Sequence, residues 1–169
     1  MPAELKTQMQ SLTFENWARG ESIYKSTGVP LIRGRVAQAQ PDLILLPGRS
    51  ASKMWNDIAP GVRFENNPGI KSAGRGTVYG VMPREFIGYF EDLKIAPNSN
   101  ILVIDDFTVR GEKMIELRFN FASADQNPTM LVLSAPESTI PQLAQNDIEV
   151  LLPDDNLLFY LYTRASESF

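Results

Sequence analysis

The stretch ILVIDDFTVRGEKMIELRFNF, residues 101–121, decides the fold that the sequence predicts. Its first part, 101–109, begins with four apolar residues and is rich in β-branched side chains, which favours a β-strand. Arg110-Gly111-Glu112 is typical of a tight turn, because glycine adopts positive φ without steric cost. Residues 114–121 then alternate between apolar and polar side chains, which predicts a second, half-covered strand. The apolar face of that strand would carry Ile115, Leu117, Phe119 and Phe121.

A helix is predicted just before this pair of strands. It would begin at Pro83, since proline is favoured at the first helical position, and end before Pro97. Its apolar residues recur at spacings of three and four, namely Phe86, Ile87, Phe90 and Leu93. A short helix followed by an antiparallel meander predicts an α+β fold in which a curved sheet packs around short helices.

Composition restricts the chemistry of the chain. The 169 residues contain no cysteine and no histidine, which excludes disulfides, Ser-His-Asp triads and the commonest ligands of transition metals. We therefore predict no metal site and no cofactor. A formal net charge of −4 disfavours a nucleic-acid partner. No apolar run approaches the ~20 residues that span a bilayer, and MPAELKTQMQ lacks the apolar core of a signal peptide, so a cytoplasmic location is the default expectation.

The remaining segments are consistent with one domain over residues 1–169. Residues 1–24 predict an N-terminal helix, Ser50 is typical of the N-cap of a helix ending near Ile58, and residues 164–169 are expected to fray. The predicted strands of the rest of the chain are 31–36, 62–65, 77–81, 129–134 and a closing hairpin of 148–152 with 157–163. The run 42–46 fits either a buried strand or a packed loop.

Three segments within residues 58–122 resemble the NTF2-like superfamily, which includes SnoaL-like cyclases and ketosteroid isomerases. They are VRFENNPG (62–69), YGVMPREFIGYF (79–90) and the meander quoted above. The resemblance implies a cone-shaped sheet around an internal pocket and a homodimer formed through the outer face of the sheet. A lipocalin-like β-barrel is the alternative. The number of helices before residue 60 discriminates the two, since a cone needs about three and a barrel at most one.

The resemblance also suggests where the site would lie. Glu65 occupies the position similar to the carboxylate base of the isomerases, and Tyr79 could donate a hydrogen bond to a developing oxyanion. Asp105 is the other candidate catalytic carboxylate. It and Asp106 would point to opposite faces of a strand, so they could not share a proton, and the one that faces the core would need Arg118 or Lys113 as a partner. The predicted ligand-binding residues are Phe64, Tyr89, Phe119, Tyr160 and Tyr162.

Two functions follow from these observations. The first is a domain that binds a small apolar ligand inside the curved sheet, with an isomerase or cyclase activity on it. The second is a non-catalytic assembly module that pairs through the surface of its sheet, which would explain the scarcity of reactive side chains.

Overall fold

A computed structural model describes residues 3–72, 96 and 98–166 of the chain. The helices in these residues are α1 (Ala3–Ile23), α2 (Val29–Ala39), α3 (Arg49–Ile58), α4 (Glu112–Ser123), α5 (Ile140–Gln145) and α6 (Asp155–Ser166). The strands are β1 (Leu43–Leu46), β2 (Gly69–Ser72), β3 (Ile101–Phe107), β4 (Thr129–Ser134) and β5 (Ile148–Val150). A π-helical turn, Tyr24–Gly28, joins α1 to α2, and 3-10 turns cover Ala59–Gly61 and Glu137–Thr139.

The described strands form one parallel sheet in the order β2-β1-β3-β4-β5. Each of the four pairings between neighbouring strands is parallel. Leu43 lies opposite both Gly69 and Ile101, and Leu102 lies opposite Thr129. The inner strands are nearly continuous apolar runs because strands of a parallel sheet are covered on both faces.

Helices cover both faces of the sheet, and a separate apolar core lies between the sheet and the helices on each face. One core packs α1, α2, α3 and α6 against Leu102, Ile104 and Leu131. The other packs α4 and α5 against Ile101 and Val103. Successive residues of β3 therefore alternate between the two cores, as the pleat of a strand requires.

On the first face, α1 crosses α6 at very close range. The Tyr160 ring lies 5.4 Å from that of Tyr24 and 5.5 Å from that of Trp17, measured between ring centroids. Tyr24 and Arg164 both donate hydrogen bonds to Oδ2 of Asp57 on α3, at 2.6 and 2.7 Å. Burial alone would raise the pKa of Asp57, but these two hydrogen bonds outweigh it and lower that pKa.

The predicted α+β fold class is wrong. A curved, mainly antiparallel sheet, whether in an NTF2-like cone or in a lipocalin-like barrel, is incompatible with four parallel pairings and with a layer of helices on each face. The architecture is α/β, and the resemblance to the NTF2-like superfamily is contradicted.

The error begins in the decisive stretch, since residues 114–121 belong to α4 and not to a strand. The buried apolar residues are Met114, Leu117 and Phe121, at helical spacing, whereas Phe119 is 64% exposed. The apolar residues of 114–121 fit the spacing of a helix as well as the alternation of a strand. Choosing the strand was therefore the error. The turn predicted at Arg110–Glu112 instead leads from β3 into α4.

Two further strand predictions are helices for the same reason. Residues 31–36 lie in α2, and residues 157–163 lie in α6, where Leu157, Tyr160 and Leu161 are buried at helical spacing. Residues 62–65 are irregular. The strands predicted at 129–134 and 148–152 are confirmed as β4 and β5, and the run 42–46 contains β1.

Several predictions lie outside the described residues: the helix from Pro83 and the strand at 77–81. Among the residues that are described, no helix is long and apolar enough to cross a membrane. The compartment remains a prediction.

Candidate functional site

The carboxyl ends of β1, β3 and β4 meet at one edge of the sheet, as they must when strands run parallel. The chain proceeds from β1 outward to β2 on one side and from β3 to β4 and β5 on the other. The direction of strand order therefore reverses between β1 and β3. Ligands of open α/β sheets bind in the crevice outside the carboxyl ends of the strands at such a point.

Three hydrogen bonds hold the β3–α4 loop, residues 108–111. The Thr108 N–H donates to the Ser134 carbonyl at 3.2 Å, and the Thr139 hydroxyl donates to the Val109 carbonyl at 2.7 Å. The Gly111 N–H donates to the Thr108 hydroxyl at 3.0 Å. Gly111 has φ of +80°, a backbone conformation that favours glycine, and a Cβ there would lie 2.9 Å from the end of the Leu143 side chain.

A cavity of about 420 Å³ opens beside this loop. Asp105 and Phe107 line it from β3, while Arg110 and Lys113 contribute exposed cations. The remaining lining residues are those of the loop and the first turn of α4: Thr108, Val109, Gly111, Glu112 and Met114.

Two buried carboxyl groups end the apolar run of β3. Asp105 is 6% exposed and Asp106 is 3% exposed. Asp105 Oδ1 accepts the Asp106 N–H at 2.9 Å, and Asp106 Oδ1 accepts the Ser50 hydroxyl at 2.9 Å. Burial is the main reason that the pKa of Asp106 lies well above its usual range, and the charge of Asp105 and a hydrogen bond between the two carboxyl groups raise it further.

This geometry corrects two expectations about the pair. The two carboxyl groups interact although they are neighbours on a strand. The core-side partner is Ser50 and not Arg118 or Lys113. Arg118 instead donates to the carbonyls of Pro128, Asn146 and Asp147 at the opposite edge of the sheet.

The N-terminus of α3 contacts the carboxyl pair from the side of β1. Ser50 was predicted as the N-cap of this helix, but the N-cap is Gly48. The hydroxyl of Ser50 instead donates a hydrogen bond to Asp106. Ser52 donates to the Ser72 hydroxyl at 3.1 Å, which ties the end of β2 to the same edge.

Glu65, the predicted base, lies at the amino end of β1 and not at the carboxyl ends of the strands, where the crevice is. It is exposed in the irregular segment after α3, and its backbone N–H donates to Gln40 Oε1 at 3.0 Å. It lines a small cavity of about 110 Å³ with Pro41 and Asp42, at the amino end of β1. Phe64 packs toward Trp55, with 6.5 Å between ring centroids.

The predicted tyrosines and Phe119 do not converge on one pocket. Tyr160 is buried between α1 and α6. Tyr162 is 57% exposed and its ring lies 6.1 Å from that of Phe107. Phe119 is exposed on α4. Tyr79 and Tyr89 fall outside the described residues.

Asp105 remains a candidate from the sequence, but the sequence analysis missed the structure around it. The β3–α4 loop was interpreted as a hairpin turn, so Arg110 and Lys113 were not connected with a site. The available signal was two acidic residues directly after a four-residue apolar run, followed by a glycine and a helical pattern. In an α/β fold that order places the acids at the carboxyl edge of the sheet.

The fold and the site together define an α/β protein with a candidate site at the carboxyl edge of a parallel sheet. No family model matches the chain, and no curated protein matches it. Among solved structures, the chain is similar to a hypoxanthine-guanine-xanthine phosphoribosyltransferase, with 12% sequence identity and a TM-score of 0.39. The match covers 64% of this chain and 65% of that enzyme's chain. A similarity this low assigns no family.

Both functions predicted from the sequence fail with the fold. Helices pack on the two faces of the sheet, so the described residues enclose no concave interior in which an isomerase or cyclase could hold an apolar ligand. The same helices cover the sheet surface through which an assembly module would have paired.

Proposed function

We propose that this chain binds a phosphorylated sugar at the carboxyl end of β3. Its phosphate would lie against the β3–α4 loop and its hydroxyl groups against Asp105, the member of the carboxyl pair that lines the cavity. The observation that carries the proposal is a buried carboxyl group, Asp105, which lines a cavity together with the uncapped N-terminus of a twelve-residue helix.

The phosphate position follows from the start of α4. The first N–H groups of a helix have no partner within the helix, and the helix dipole favours an anion there. No side chain caps this helix, and its N-cap residue is the glycine whose conformation shapes the loop. Arg110 and Lys113 add two cations, and the lining also contains the carboxyl groups of Glu112 and Asp105. The start of the helix, and not a surplus of positive side chains, therefore favours an anion.

The carboxyl pair is suited to hydroxyl groups. A sugar hydroxyl both donates and accepts a hydrogen bond. The carboxyl oxygens of Asp105, which lines the cavity, can accept hydrogen bonds from such hydroxyl groups. The cavity volume of about 420 Å³ falls within the range of roughly 300–1,000 Å³ that small-molecule sites occupy. The proposal concerns binding and assigns no reaction.

Calorimetric titration with ribose 5-phosphate, ribose and inorganic phosphate tests the proposal. We expect ribose 5-phosphate to bind most tightly, because it alone contacts both the loop and the carboxyl pair. It should also raise the melting temperature in proportion to the logarithm of its concentration. Lys113→Ala should weaken its binding about 3- to 10-fold, the loss of one exposed charge-assisted contact, and Asp105→Asn about 10-fold or more.

Lys25→Ala is the matched control, since Lys25 is an exposed lysine on the π-helical turn, away from the cavity. Its affinity should equal that of the unsubstituted protein. Ribose 5-phosphate binding no tighter than inorganic phosphate, or equal effects of the two lysine substitutions, would contradict the proposal.

A further inference from the structure

A chain of hydrogen bonds connects Ser50 on α3 with the carboxyl group that lines the cavity. The Ser50 hydroxyl donates to Asp106 Oδ1 at 2.9 Å, and the Asp106 backbone N–H donates to Asp105 Oδ1 at 2.9 Å. The two carboxyl groups are also hydrogen-bonded to each other. Of these three residues, only Asp105 lines the cavity. Ser50 and Asp106 therefore act on a ligand in the cavity through Asp105 and not by direct contact.

The hydrogen bond between the two carboxyl groups requires a proton. An ionised carboxylate only accepts hydrogen bonds, so one member of the pair must be protonated for this bond to exist. Asp106 is that member, because its burial and the neighbouring charge of Asp105 raise the pKa of Asp106. The negative charge then resides on Asp105, whose carboxylate is held by the backbone N–H and by the carboxyl O–H of Asp106.

Ser50 opposes the raised pKa of Asp106, because its hydroxyl donates to the ionised form of the carboxyl group. The backbone N–H of Phe107 acts in the same direction, whereas Asp105 is the charged group that acts most strongly against ionisation. The neighbouring strands β1 and β4 carry no charged side chain. Helices α3 and α6 also contact β3. The charged residues of these two helices are Arg49, Lys53, Asp57, Asp155 and Arg164, and Arg164 donates to Asp57 at 2.7 Å.

We propose that Ser50 is a positioning residue of the site, which through Asp106 sets the pH range over which Asp105 binds the hydroxyl groups of the phosphorylated ligand. This inference rests on the proposed function, since it concerns the same ligand and the same carboxyl group. When Asp106 loses its proton, the hydrogen bond between the carboxyl groups is lost and a second negative charge stands beside Asp105. The affinity for an anionic ligand therefore falls as the pH rises, about tenfold for each unit by which the bound anion raises the pKa of Asp106.

The experiment measures the affinity for ribose 5-phosphate by calorimetric titration from about pH 5 to about pH 9. Ser50→Ala removes a hydrogen bond to the ionised form of Asp106, so the pH midpoint of the loss of affinity should move upward by about one to two units. Ser50→Thr keeps a hydroxyl group and should keep the midpoint. Ser52→Ala is the matched control, because Ser52 lies on the same helix and donates to the Ser72 hydroxyl instead.

The midpoint distinguishes a positioning role from a merely structural one. A structural defect in Ser50→Ala would lower the affinity at every pH without moving the midpoint. The ligand's own phosphate ionises at about pH 6 with every variant, so it does not account for a difference between their midpoints. Asp106→Asn cannot ionise at this position and should show no pH dependence beyond that of the ligand.

Two results would overturn the role of Ser50 while leaving the sugar-phosphate site intact. One is a midpoint that is the same in Ser50→Ala as in the unsubstituted chain, and the other is a midpoint that persists in Asp106→Asn. Failure of ribose 5-phosphate to bind at any pH would overturn the site and the role of Ser50 together.

Discussion

At the scale of single residues, Asp106 is the position where the candidate site and stability conflict most directly. It is a nearly fully buried carboxyl group beside a second carboxyl group, and the hydroxyl of Ser50 is the one side-chain hydrogen bond that favours its charged form. Groups held in such unfavourable surroundings concentrate at functional sites. Removing the charge should therefore improve stability and impair binding.

Asp106→Asn should raise the free energy of unfolding at pH 8 by about 1–3 kcal/mol, the cost of a poorly compensated buried charge. Since the folded-state pKa lies above the unfolded value, the unsubstituted protein should lose stability as pH rises from about 4 through that folded-state pKa. The variant should lack this loss, so the two should converge at acid pH. Urea unfolding at several pH values measures both effects.

Asp125→Asn is the control, because Asp125 is an exposed residue outside the cavity. Its stability difference from the unsubstituted chain should not follow the same pH course. An Asp106→Asn protein less stable than the unsubstituted chain at pH 8 would contradict the assignment of a destabilising buried charge.

At the scale of elements, the packing of α1 on α6 depends on one glycine. A Cβ at Gly20 would overlap the backbone carbonyl of Asn156 and lie 2.6 Å from Cβ of Tyr160. The overlap is with backbone atoms and with the start of a side chain, which no rotamer change can relieve. This close approach allows the Trp17 and Tyr160 rings to meet.

Gly20→Ala should therefore lower the free energy of unfolding by about 1–3 kcal/mol or more, as overpacking does in well-packed cores. Gly34→Ala provides a matched comparison within the helical N-terminal segment, because a Cβ at Gly34 meets nothing within 4 Å. That change should raise stability by about 0.5–1 kcal/mol through helix propensity. Denaturant unfolding measures the free energy of unfolding of both variants. Changes of the same sign in the two variants would show that the helix crossing does not constrain residue 20.

At the scale of the whole molecule, the sheet lies between two apolar cores, and its protection from solvent should follow the strand order. The inner strands β1, β3 and β4 are almost wholly buried, whereas in β2 Gly69, Ile70 and Ser72 are exposed. The free energy of local opening is highest in well-buried segments and lowest in exposed ones.

Hydrogen exchange followed by NMR should find the slowest amides in β1, β3 and β4. The amides of β2 should exchange at least about tenfold faster, since about 1.4 kcal/mol of local stability is enough for that difference. The helical amides of α4 provide an internal check, because their protection should follow a pattern of i to i−4 bonds and not of a strand. Equal protection of β2 and β3 would contradict the assignment of β2 to the edge of the sheet.

The predicted homodimer remains a prediction at this scale. Its proposed surface is nevertheless excluded, because helices cover both faces of the sheet.

The sequence by itself determined two inner strands and proposed one residue of the candidate site. The apolar runs at β3 and β4 can be recognised locally, since each is short, rich in β-branched or leucine side chains and bounded by turn residues, whereas the run at β1 also fitted a packed loop. Asp105 stood out for the same reason, as a charge at the end of such a run. The absence of cysteine and histidine also removed whole classes of chemistry without any knowledge of the fold.

Only the tertiary structure decided which way the strands run and what lies between them. Residues 114–121 and 157–163 carry enough apolar side chains for either a strand face or a helix stripe, and burial selected Met114, Leu117 and Phe121 for one helix and Tyr160 for another. Strand direction depends on these connections, because a helix crossover permits parallel pairing and a tight turn does not. Parallel pairing then placed Ser50, Asp105 and the β3–α4 loop at one edge, a meeting of residues more than fifty positions apart that no local pattern encodes.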